Sequence, residues 1–340
     1  MSSGSIALQH PLAFMVYNGM DPIPGYMRRD RTRARRITLL KGGDMEMADT
    51  SIRMLVIDID GTLLTPEGEI TPRTLAAVQA AQQSGIVVTL ATARRYSNTA
   101  TIADELGLVI PLILYDGAMI VEHPRVRVLH VQPLRADVGQ QAVELLVRHQ
   151  LQPVVHPNMG IEEQIWTGPA DFDNPWVAAY FSSFPEQVRR MPFETLCAGH
   201  PDPIRVVAFA PEEIIHTLLP EVSRLDCTWT ITRRGNYGSA ELAIMNPNCS
   251  KASGVAELAT YLGIPLEQVM AIGDNNNDIA MLRSVGWGVA MGQASEAVKA
   301  AAKAVTASNR EDGVALAIEH YALGCSATAD ANSLKRTTWA

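Results

Sequence analysis

The sequence has few of the features that would place a protein in a membrane or on nucleic acid. Its 340 residues contain no apolar run near the roughly 18 to 20 residues that cross a bilayer. The net charge of −8 leaves no basic excess for a broad nucleic-acid-binding surface. We therefore expect no membrane span, no nucleic-acid partner and a small-molecule ligand.

Cysteine is also scarce, with four residues in the whole chain and no Cys-x-x-Cys spacing. This excludes a cysteine metal cluster and a disulfide framework, and it favours a reducing, cytoplasmic location. The N-terminus carries no basic residue before its weak apolar stretch, which is the wrong order for a secretory signal. No heptad pattern marks an interface, so the sequence leaves the oligomeric state open.

Both ends of the chain differ in character from the middle. Residues 1–50 show no sustained hydrophobic period and contain an arginine-dense stretch at 28–36, so we predict a disordered extension, with a tethering or nucleic-acid-binding arm as the alternative. Residues 324–340 form a polar tail rich in Ser, Thr and Ala, which we also predict to be disordered.

Between these ends, buried strands and helices alternate, which predicts an α/β fold with a Rossmann-like parallel sheet between two layers of helices. Strands are expected at 54–57, 86–91, 109–114, 269–272 and 286–291, and helices at 72–84, 97–106, 251–262 and 275–283. The catalytic core thus spans 51–118 and 247–323. The intervening residues, 119–246, predict an inserted α+β cap with strands at 161–165, 204–210, 228–232 and 241–245.

The segment Asp58-Ile59-Asp60-Gly61-Thr62 follows the first buried strand. Extended geometry places alternate side chains on one side, so Asp58 and Asp60 face the same space. Two carboxylates there repel each other unless a cation or a proton intervenes, and Mg²⁺ is the natural guest. The alternative is that Asp-Gly only marks a turn.

Two further segments supply groups that bind phosphate. Thr92 ends the second strand, where its hydroxyl and the next backbone N–H groups can meet an anion, although it can also be a simple helix cap. Lys251 opens a helix, where a cation is unfavourable unless an anion is also present, although an exposed lysine is common there.

A last acidic segment, Gly273-Asp274-Asn275-Asn276-Asn277-Asp278, follows another buried strand. Asp274 and Asp278 are four residues apart, which predicts that they share a helix face and form a metal site. The alternative is that Asp274 caps the helix and Asp278 stabilises its positive end.

These four segments, in this order, resemble the haloacid dehalogenase-like hydrolases, and the large insertion between Thr92 and Lys251 resembles their Cof-type sugar-phosphatase branch. The resemblance implies a Mg²⁺-dependent phosphatase acting on a small phosphomonoester, with Asp58 as the nucleophile and Asp60 as the proton carrier. It implies that Thr92 and Lys251, with the backbone at Gly61 and Ala93, hold the phosphoryl group. The metal ligands it implies are Asp58, the Asp60 carbonyl, Asp274, Asn277 and Asp278.

Two positions depart from the family pattern, which usually has glycine where Ala93 stands and asparagine where Asp116 stands. Ala93 keeps its N–H, and Asp116 adds negative charge near the site, which we expect to narrow the choice of substrate. Two other functions stay open: phosphomannomutase-like transfer back to a sugar, and non-catalytic binding of a phosphometabolite. Specificity is expected in the cap, where the possible ligand contacts are His156, Trp176, Arg233, Tyr237 and Glu241.

Overall fold

The structure is a computed structural model that describes residues 51–232 and 237–324. The two segments predicted to be disordered, 1–50 and 324–340, lie outside these residues except for Gly324. Among the described residues, no helix combines the length and apolar character needed to cross a membrane.

The chain begins with the predicted alternation of strands and helices. Its elements are β1 (Met54–Ile57), α1 (Pro72–Gln83), β2 (Val87–Leu90), α2 (Ser97–Glu105) and β3 (Pro111–Leu114). Every residue of the three strands is buried, as expected for a sheet covered on both faces. Thr71 caps α1 by accepting a hydrogen bond from the Thr74 N–H, and Pro72 occupies the first turn.

The next two strands continue this part of the fold. They are β4 (Met119–Glu122) and β5 (Arg127–Val131), and both pair antiparallel in the order β3-β4-β5, while Ala91 bridges to Ile113 of β3. A domain boundary at residue 119 would therefore cut through a hydrogen-bonded sheet. Leu134 is the first residue in the hydrophobic core of the cap, so we propose a boundary between β5 and Leu134.

The cap is built on one six-stranded sheet. Its elements are α3 (Ala136–Arg148), β6 (Val154–His156), β7 (Ile165–Thr167), α4 (Pro175–Ser182), β8 (Val188–Arg190), β9 (Arg205–Ala210), α5 (Glu212–Val222), β10 (Thr228–Thr232) and β11 (Ala240–Met245). The strand order is β10-β11-β9-β6-β7-β8. Side chains of α3 and α5 pack on one face of this sheet, and those of α4 pack on the other.

The cap strands at β9, β10 and β11 confirm three of the four predicted strands. The fourth prediction, 161–165, is wrong in position, because residues 161–164 precede the strand and β7 runs from Ile165 to Thr167. The cap cysteines Cys197 and Cys227 are free thiols, as is Cys249 in the core.

The chain then returns to the core. The remaining elements are α6 (Lys251–Leu262), β12 (Val269–Gly273), α7 (Ile279–Ser284), β13 (Trp287–Ala290), α8 (Glu296–Lys299), β14 (Ala304–Val305) and α9 (Gly313–Ala317). The core sheet has the order β14-β13-β12-β1-β2, and all its pairs are parallel. The fold is thus the predicted α/β core with an inserted cap. The carboxyl ends of the neighbours β12, β1 and β2 meet at one edge, where parallel sheets bind ligands.

Candidate active site

Asp58 and Lys251 form the centre of the site. Asp58 follows β1 and is held by its backbone N–H, which donates to the Ile272 carbonyl of β12 at 3.0 Å. Lys251 is the first residue of α6, after the N-cap Ser250. Its buried Nζ donates to Asp58 Oδ1 at 2.6 Å and to Asp278 Oδ1 at 2.7 Å. Two carboxylates therefore supply the negative charge that the sequence predicts beside a lysine at the start of a helix.

The turn after Asp58 requires glycine at position 61. Gly61 has φ of +80°, and a Cβ added there would lie 2.4 Å from Asp274 Oδ2. Thr62 Oγ1 donates to Asp274 Oδ1 at 3.2 Å, so the same turn also holds the Asp274 carboxylate. The Asp-Gly-Thr segment thus brings the loop after β1 against the loop after β12.

Asp278 organises the loop after β12. Its Oδ2 accepts hydrogen bonds from the backbone N–H groups of Asp274 at 3.0 Å and Asn275 at 2.9 Å. The predicted shared helix face is wrong, because Asn276–Asp278 form a single 3₁₀ turn and α7 begins only at Ile279. The two carboxylates are brought together by this folded-back loop instead.

Burial and mutual repulsion dominate the electrostatics of the carboxylates. Burial raises the pKa of Asp58 well above its usual range, Lys251 opposes the rise, and Asp278 and Asp274 add to it. Burial, reinforced by Asp278, raises the pKa of Asp274 to about 6. Burial acts to lower the pKa of Lys251, but Asp278, Asp58 and Asp116 outweigh it, so that pKa lies above its usual range. The ammonium group is therefore a fixed positive charge.

Three carboxylates here could hold a metal ion. One oxygen from each of Asp58, Asp274 and Asp278 lies within 4.8 Å of the others, while Lys251 is the cation that contacts two of them. Hard oxygen ligands crowded around a single lysine fit a small divalent cation, which would relieve the repulsion that raises the pKa values.

The side chains of the other two predicted metal residues, Asp60 and Asn277, contact residues outside the three carboxylates. The ligand predicted for Asp60 is its backbone carbonyl. The Asp60 carboxylate forms a two-pronged ion pair with Arg94, from Nε to Oδ2 at 2.8 Å and from Nη2 to Oδ1 at 2.6 Å. Asn277 donates from Nδ2 to Asp116 Oδ1 at 2.9 Å, and its own buried Oδ1 has no hydrogen-bond partner among the described residues. The Asp60 side chain thus points to Arg94, whereas Asn277 retains a free amide oxygen.

Thr92 and Ala93 follow Ala91 just beyond the end of β2, where the sequence predicts a phosphate site. The buried Thr92 Oγ1 accepts from the Arg94 N–H at 3.1 Å, so its hydroxyl proton is available to a ligand. Ala93 is not among the residues with positive φ, so alanine replaces the usual glycine at this position without backbone strain.

Asp116 links the core to the cap. It has φ of +54°, a conformation that asparagine and aspartate adopt more readily than most residues. Its Oδ1 accepts from Asn277, and its Oδ2 accepts from Thr230 Oγ1 of the cap strand β10 at 3.1 Å. The unusual aspartate thus lies between the loop after β12 and the cap.

The cap residues named from the sequence fall into two groups. His156 is buried against the Tyr115 ring, and Trp176 and Tyr237 pack in the apolar cluster under α4, so these three are packing residues in this structure. Glu241 instead forms an ion pair with Arg205, whose Nη1 lies 3.6 Å from Glu241 Oε1. Arg233 lies outside the described residues.

Sequence reasoning missed three arginines at the boundary between core and cap. Besides Arg94, these are Arg95, which contacts Tyr180 and Gln187, and Arg205, which donates from Nη1 to the Ala93 carbonyl at 3.2 Å. The Arg94-Arg95 pair directly after Ala93 was the available signal. Arg205 begins a buried strand, where a charge normally marks an exposed strand end.

A sequence model of the haloacid dehalogenase-like hydrolase family matches residues 55–318. The chain belongs to this family. The matched residues include all four predicted segments, and the chain lies in the Cof-type branch, as the sequence predicted. This assigns the hydrolase to the phosphoric monoester hydrolases.

Relatives of this hydrolase align over almost their whole length. It is 28% identical to the pyridoxal phosphate phosphatase YbhA of Escherichia coli, over 77% of this chain and 96% of the relative. It is 27% identical to the 5-amino-6-(5-phospho-D-ribitylamino)uracil phosphatase YitU of Bacillus subtilis, over 80% and 98% respectively. The solved structure of the subclass IIB sugar phosphatase BT4131 superposes with a TM-score of 0.66 at 27% identity, over 79% of this chain and 98% of that one.

Proposed function

We propose that this hydrolase removes phosphate from a small phosphomonoester through an aspartyl-phosphate intermediate on Asp58. The observation that carries the proposal is the Asp58 carboxylate itself, which lies 2.6 Å from the Lys251 Nζ at the carboxyl edge of a parallel sheet. A buried carboxylate beside a fixed cation suits a nucleophile for phosphoryl transfer, since that reaction depends mainly on positioning and charge neutralisation.

In the first step, an Asp58 oxygen attacks phosphorus, and the bond from phosphorus to the leaving-group oxygen breaks. Asp60 gives its proton to that oxygen, so an alcohol departs. Lys251, the Thr92 hydroxyl and the Ala93 N–H hold the phosphoryl oxygens, and the backbone at Gly61 lies on the same turn as Asp60.

In the second step, water attacks the aspartyl phosphate, and Asp60 takes one proton from that water. The bond from phosphorus to the Asp58 oxygen breaks, which frees inorganic phosphate and restores both carboxyl groups. Arg94 holds the Asp60 carboxyl group in this structure, and each of its oxygens keeps further hydrogen-bonding capacity towards the leaving group or the water.

Mg²⁺ is the cofactor we propose, because the crowded carboxylates supply hard oxygen ligands. Asp58, Asp274 and Asp278 would hold it, with the Asp60 carbonyl and the free Asn277 oxygen as further candidates. When bound, Mg²⁺ supplies charge neutralisation at the transferring phosphoryl group.

The cap and the family support the proposed substrate class. The boundary between cap and core is lined by polar side chains, which favours a polar leaving group. The relatives include phosphatases named for pyridoxal phosphate, for a ribityl phosphate and for sugars. A small phosphorylated metabolite is therefore the substrate that we propose. The location that we propose is the cytoplasm.

The test is phosphate release from sugar phosphates, pyridoxal phosphate, flavin mononucleotide and nucleotides, with Mg²⁺ or with a chelator. The enzyme, Asp58→Asn and the cap surface variant Asp137→Asn are compared, and each is first checked for native circular dichroism. We expect turnover that requires Mg²⁺, survives in Asp137→Asn and falls by about a thousandfold or more in Asp58→Asn.

Other results would point to the two alternatives. Loss of substrate phosphate without release of inorganic phosphate would indicate a mutase. Saturable binding of a phosphorylated compound without any turnover would indicate a regulator. Equal turnover by Asp58→Asn and the unmodified enzyme would refute the proposed nucleophile.

A further inference from the structure

Two charged residues of the cap sheet, Arg205 and Glu241, lie on the face of that sheet that packs with α4. Along β9, Val206 and Ala208 pack with α3 and α5, whereas Val207 and Phe209 pack with α4. Because side chains alternate along a strand, Arg205 shares the face of Val207 and Phe209. That face is otherwise an apolar packing surface, and a buried charge on such a surface costs free energy unless a partner or a ligand satisfies it.

Glu241 is on the same face, on the neighbouring strand β11. It pairs in register with Phe209, and directly paired residues of antiparallel strands point to the same side. The Arg205 Nη1 and the Glu241 Oε1 lie 3.6 Å apart, which is an ion pair but longer than a hydrogen bond. Both groups therefore keep hydrogen-bonding capacity.

Arg205 reaches the edge of the proposed phosphate site. Its side chain is only 7% exposed, its Nη1 donates to the Ala93 carbonyl at 3.2 Å, and its guanidinium lies over the Tyr115 ring. Ala93 directly follows Thr92. The buried Arg205 Nε has no hydrogen-bond partner among the described residues, and an unpaired buried donor is costly unless a ligand satisfies it.

Glu241 lies next to the contact between the cap strand β10 and Asp116. Its side chain is 21% exposed, so the carboxylate is accessible to a ligand. Burial raises its pKa, Arg205 and Arg95 oppose the rise, and the carboxylates of Asp116 and Asp60 add to it. Glu241 pairs with Thr232 of β10, and Thr230, two residues earlier on the same face of that strand, donates to Asp116 Oδ2, so Glu241 lies on the Asp116 side of the site.

We propose that Arg205 and Glu241 form a subsite that binds a hydroxyl group of the leaving group. A hydroxyl both accepts and donates, so it can pair with an unpaired guanidinium N–H and a carboxylate oxygen side by side. The pair thereby selects phosphomonoesters with uncharged, hydroxylated leaving groups. A second anionic group is disfavoured at this pair, because Glu241 offsets the charge of Arg205 and the Asp116 carboxylate lies nearby.

This inference rests on the proposed phosphatase function, and a size-matched series tests it. The probes are sorbitol 6-phosphate, n-hexyl phosphate without hydroxyls, and 6-phosphogluconate with a carboxylate; p-nitrophenyl phosphate reports chemistry without the subsite. We expect kcat/KM for sorbitol 6-phosphate to exceed the other two six-carbon esters by about tenfold or more.

The variants are Glu241→Gln and Arg205→Gln, with Glu221→Gln as a matched control. Glu221 is a carboxylate on α5, on the other face of the cap sheet, and pairs with Arg148 and His149. Glu241→Gln should raise the rate on 6-phosphogluconate relative to sorbitol 6-phosphate by about tenfold, and Arg205→Gln should lower the preference for sorbitol 6-phosphate over hexyl phosphate by a similar factor. The control should leave both ratios unchanged.

Ratios of kcat/KM separate recognition from a purely structural role, because a damaged cap lowers all rates together. Unchanged ratios in both variants, or a native enzyme that does not distinguish the three esters, would overturn the subsite while turnover of p-nitrophenyl phosphate upholds the phosphatase. Absence of turnover on every compound, including p-nitrophenyl phosphate, would instead overturn the proposed function and this inference with it.

Discussion

Arg94 donates two hydrogen bonds to Asp60, of 2.8 and 2.6 Å, one to each carboxylate oxygen. Arg94 lies on the loop after β2 and Asp60 on the loop after β1, so the pair joins the two loops that flank the proposed phosphate site. The Asp60 side chain is 53% exposed, which leaves it room to turn towards a ligand. Arg94 is thus a positioning residue for the proposed proton carrier.

Arg94→Met should therefore lower kcat by about 10- to 100-fold, because a proton carrier without its orienting partner spends less time in the productive position. KM should change less than kcat. Steady-state kinetics on p-nitrophenyl phosphate would measure both. Arg73→Met is the matched control, since Arg73 makes the same two-pronged pair with Glu319 on the surface. A kcat equal to that of the control would rule out the positioning role.

Gly61 and Gly68 allow the contact with Asp274 to be tested separately from backbone strain. Both have positive φ, +80° and +86°, but a Cβ at Gly68 meets nothing within 4 Å, whereas a Cβ at Gly61 would lie 2.4 Å from Asp274 Oδ2. Gly68→Ala should cost about 1 kcal/mol of unfolding free energy and leave activity intact. Gly61→Ala should in addition displace the Asp274 carboxylate.

We expect Gly61→Ala to raise the Mg²⁺ concentration for half-maximal activity by about 10- to 100-fold, as for other changes that misplace a metal ligand. A titration of activity with Mg²⁺ measures this shift. If Gly61→Ala and Gly68→Ala require the same Mg²⁺ concentration, the turn does not position a metal ligand.

The raised pKa of Asp274 predicts how the stability of the metal-free protein depends on pH. Burial and Asp278 move this pKa from 3.8 to about 6 in the folded state. Between these values the folded protein holds the proton more tightly than the unfolded chain. The stabilisation is therefore complete below about pH 4 and is lost as the pH rises through 6, a change on the order of 2 to 3 kcal/mol.

Urea unfolding in chelator between pH 4 and 7 would measure this dependence. Asp274→Asn should flatten this dependence, whereas Asp171→Asn, at an exposed position of the cap, should leave it unchanged. Added Mg²⁺ should stabilise the protein more at pH 7 than at pH 5, because a metal ion competes with protons for the carboxylates. A steeper dependence on pH in Asp274→Asn would contradict the assignment.

The sequence predicted that the central candidate residues meet at one edge of the sheet, because that information is local. Asp58, Thr92 and Lys251 each stand at the end of a strand or the start of a helix, and parallel pairing alone brings such positions to one edge of a sheet. Asp274 and Asp278 also lie close together at this edge, but helical periodicity did not predict how. The backbone N–H groups of Asp274 and Asn275 donate to the Asp278 carboxylate and fold the loop back.

The contacts between core and cap could not be predicted in this way. Arg205 and Ala93 are 112 residues apart, Thr230 and Asp116 are 114 apart, and no periodic pattern encodes such separations. The sequence analysis placed the residues of β4 and β5 in the cap, because the sequence of a short strand does not indicate which sheet it will join. Packing between units, rather than local propensity, decided both cases.

The last prediction concerns the contact of Thr230 with Asp116. The Thr230 hydroxyl donates to Asp116 Oδ2 at 3.1 Å, and Asp116 is buried, so loss of the hydroxyl would leave a carboxylate oxygen without its donor from the cap. Thr230→Val should weaken the closed arrangement of cap and core and raise KM by about tenfold, while kcat changes little once substrate is bound. Thr228→Val, two residues earlier on the same face of β10, is the matched control.

Asp116→Asn tests the same contact from the core side. An asparagine can still accept from Asn277 through its amide oxygen, and its NH₂ group can donate to the Thr230 hydroxyl, so both hydrogen bonds survive while the charge is lost. We therefore expect Asp116→Asn to keep KM within about threefold and Asp116→Ala to raise it at least as much as Thr230→Val. A large rise in KM for Asp116→Asn alone would show that the charge, rather than the hydrogen bonds, joins the cap to the site.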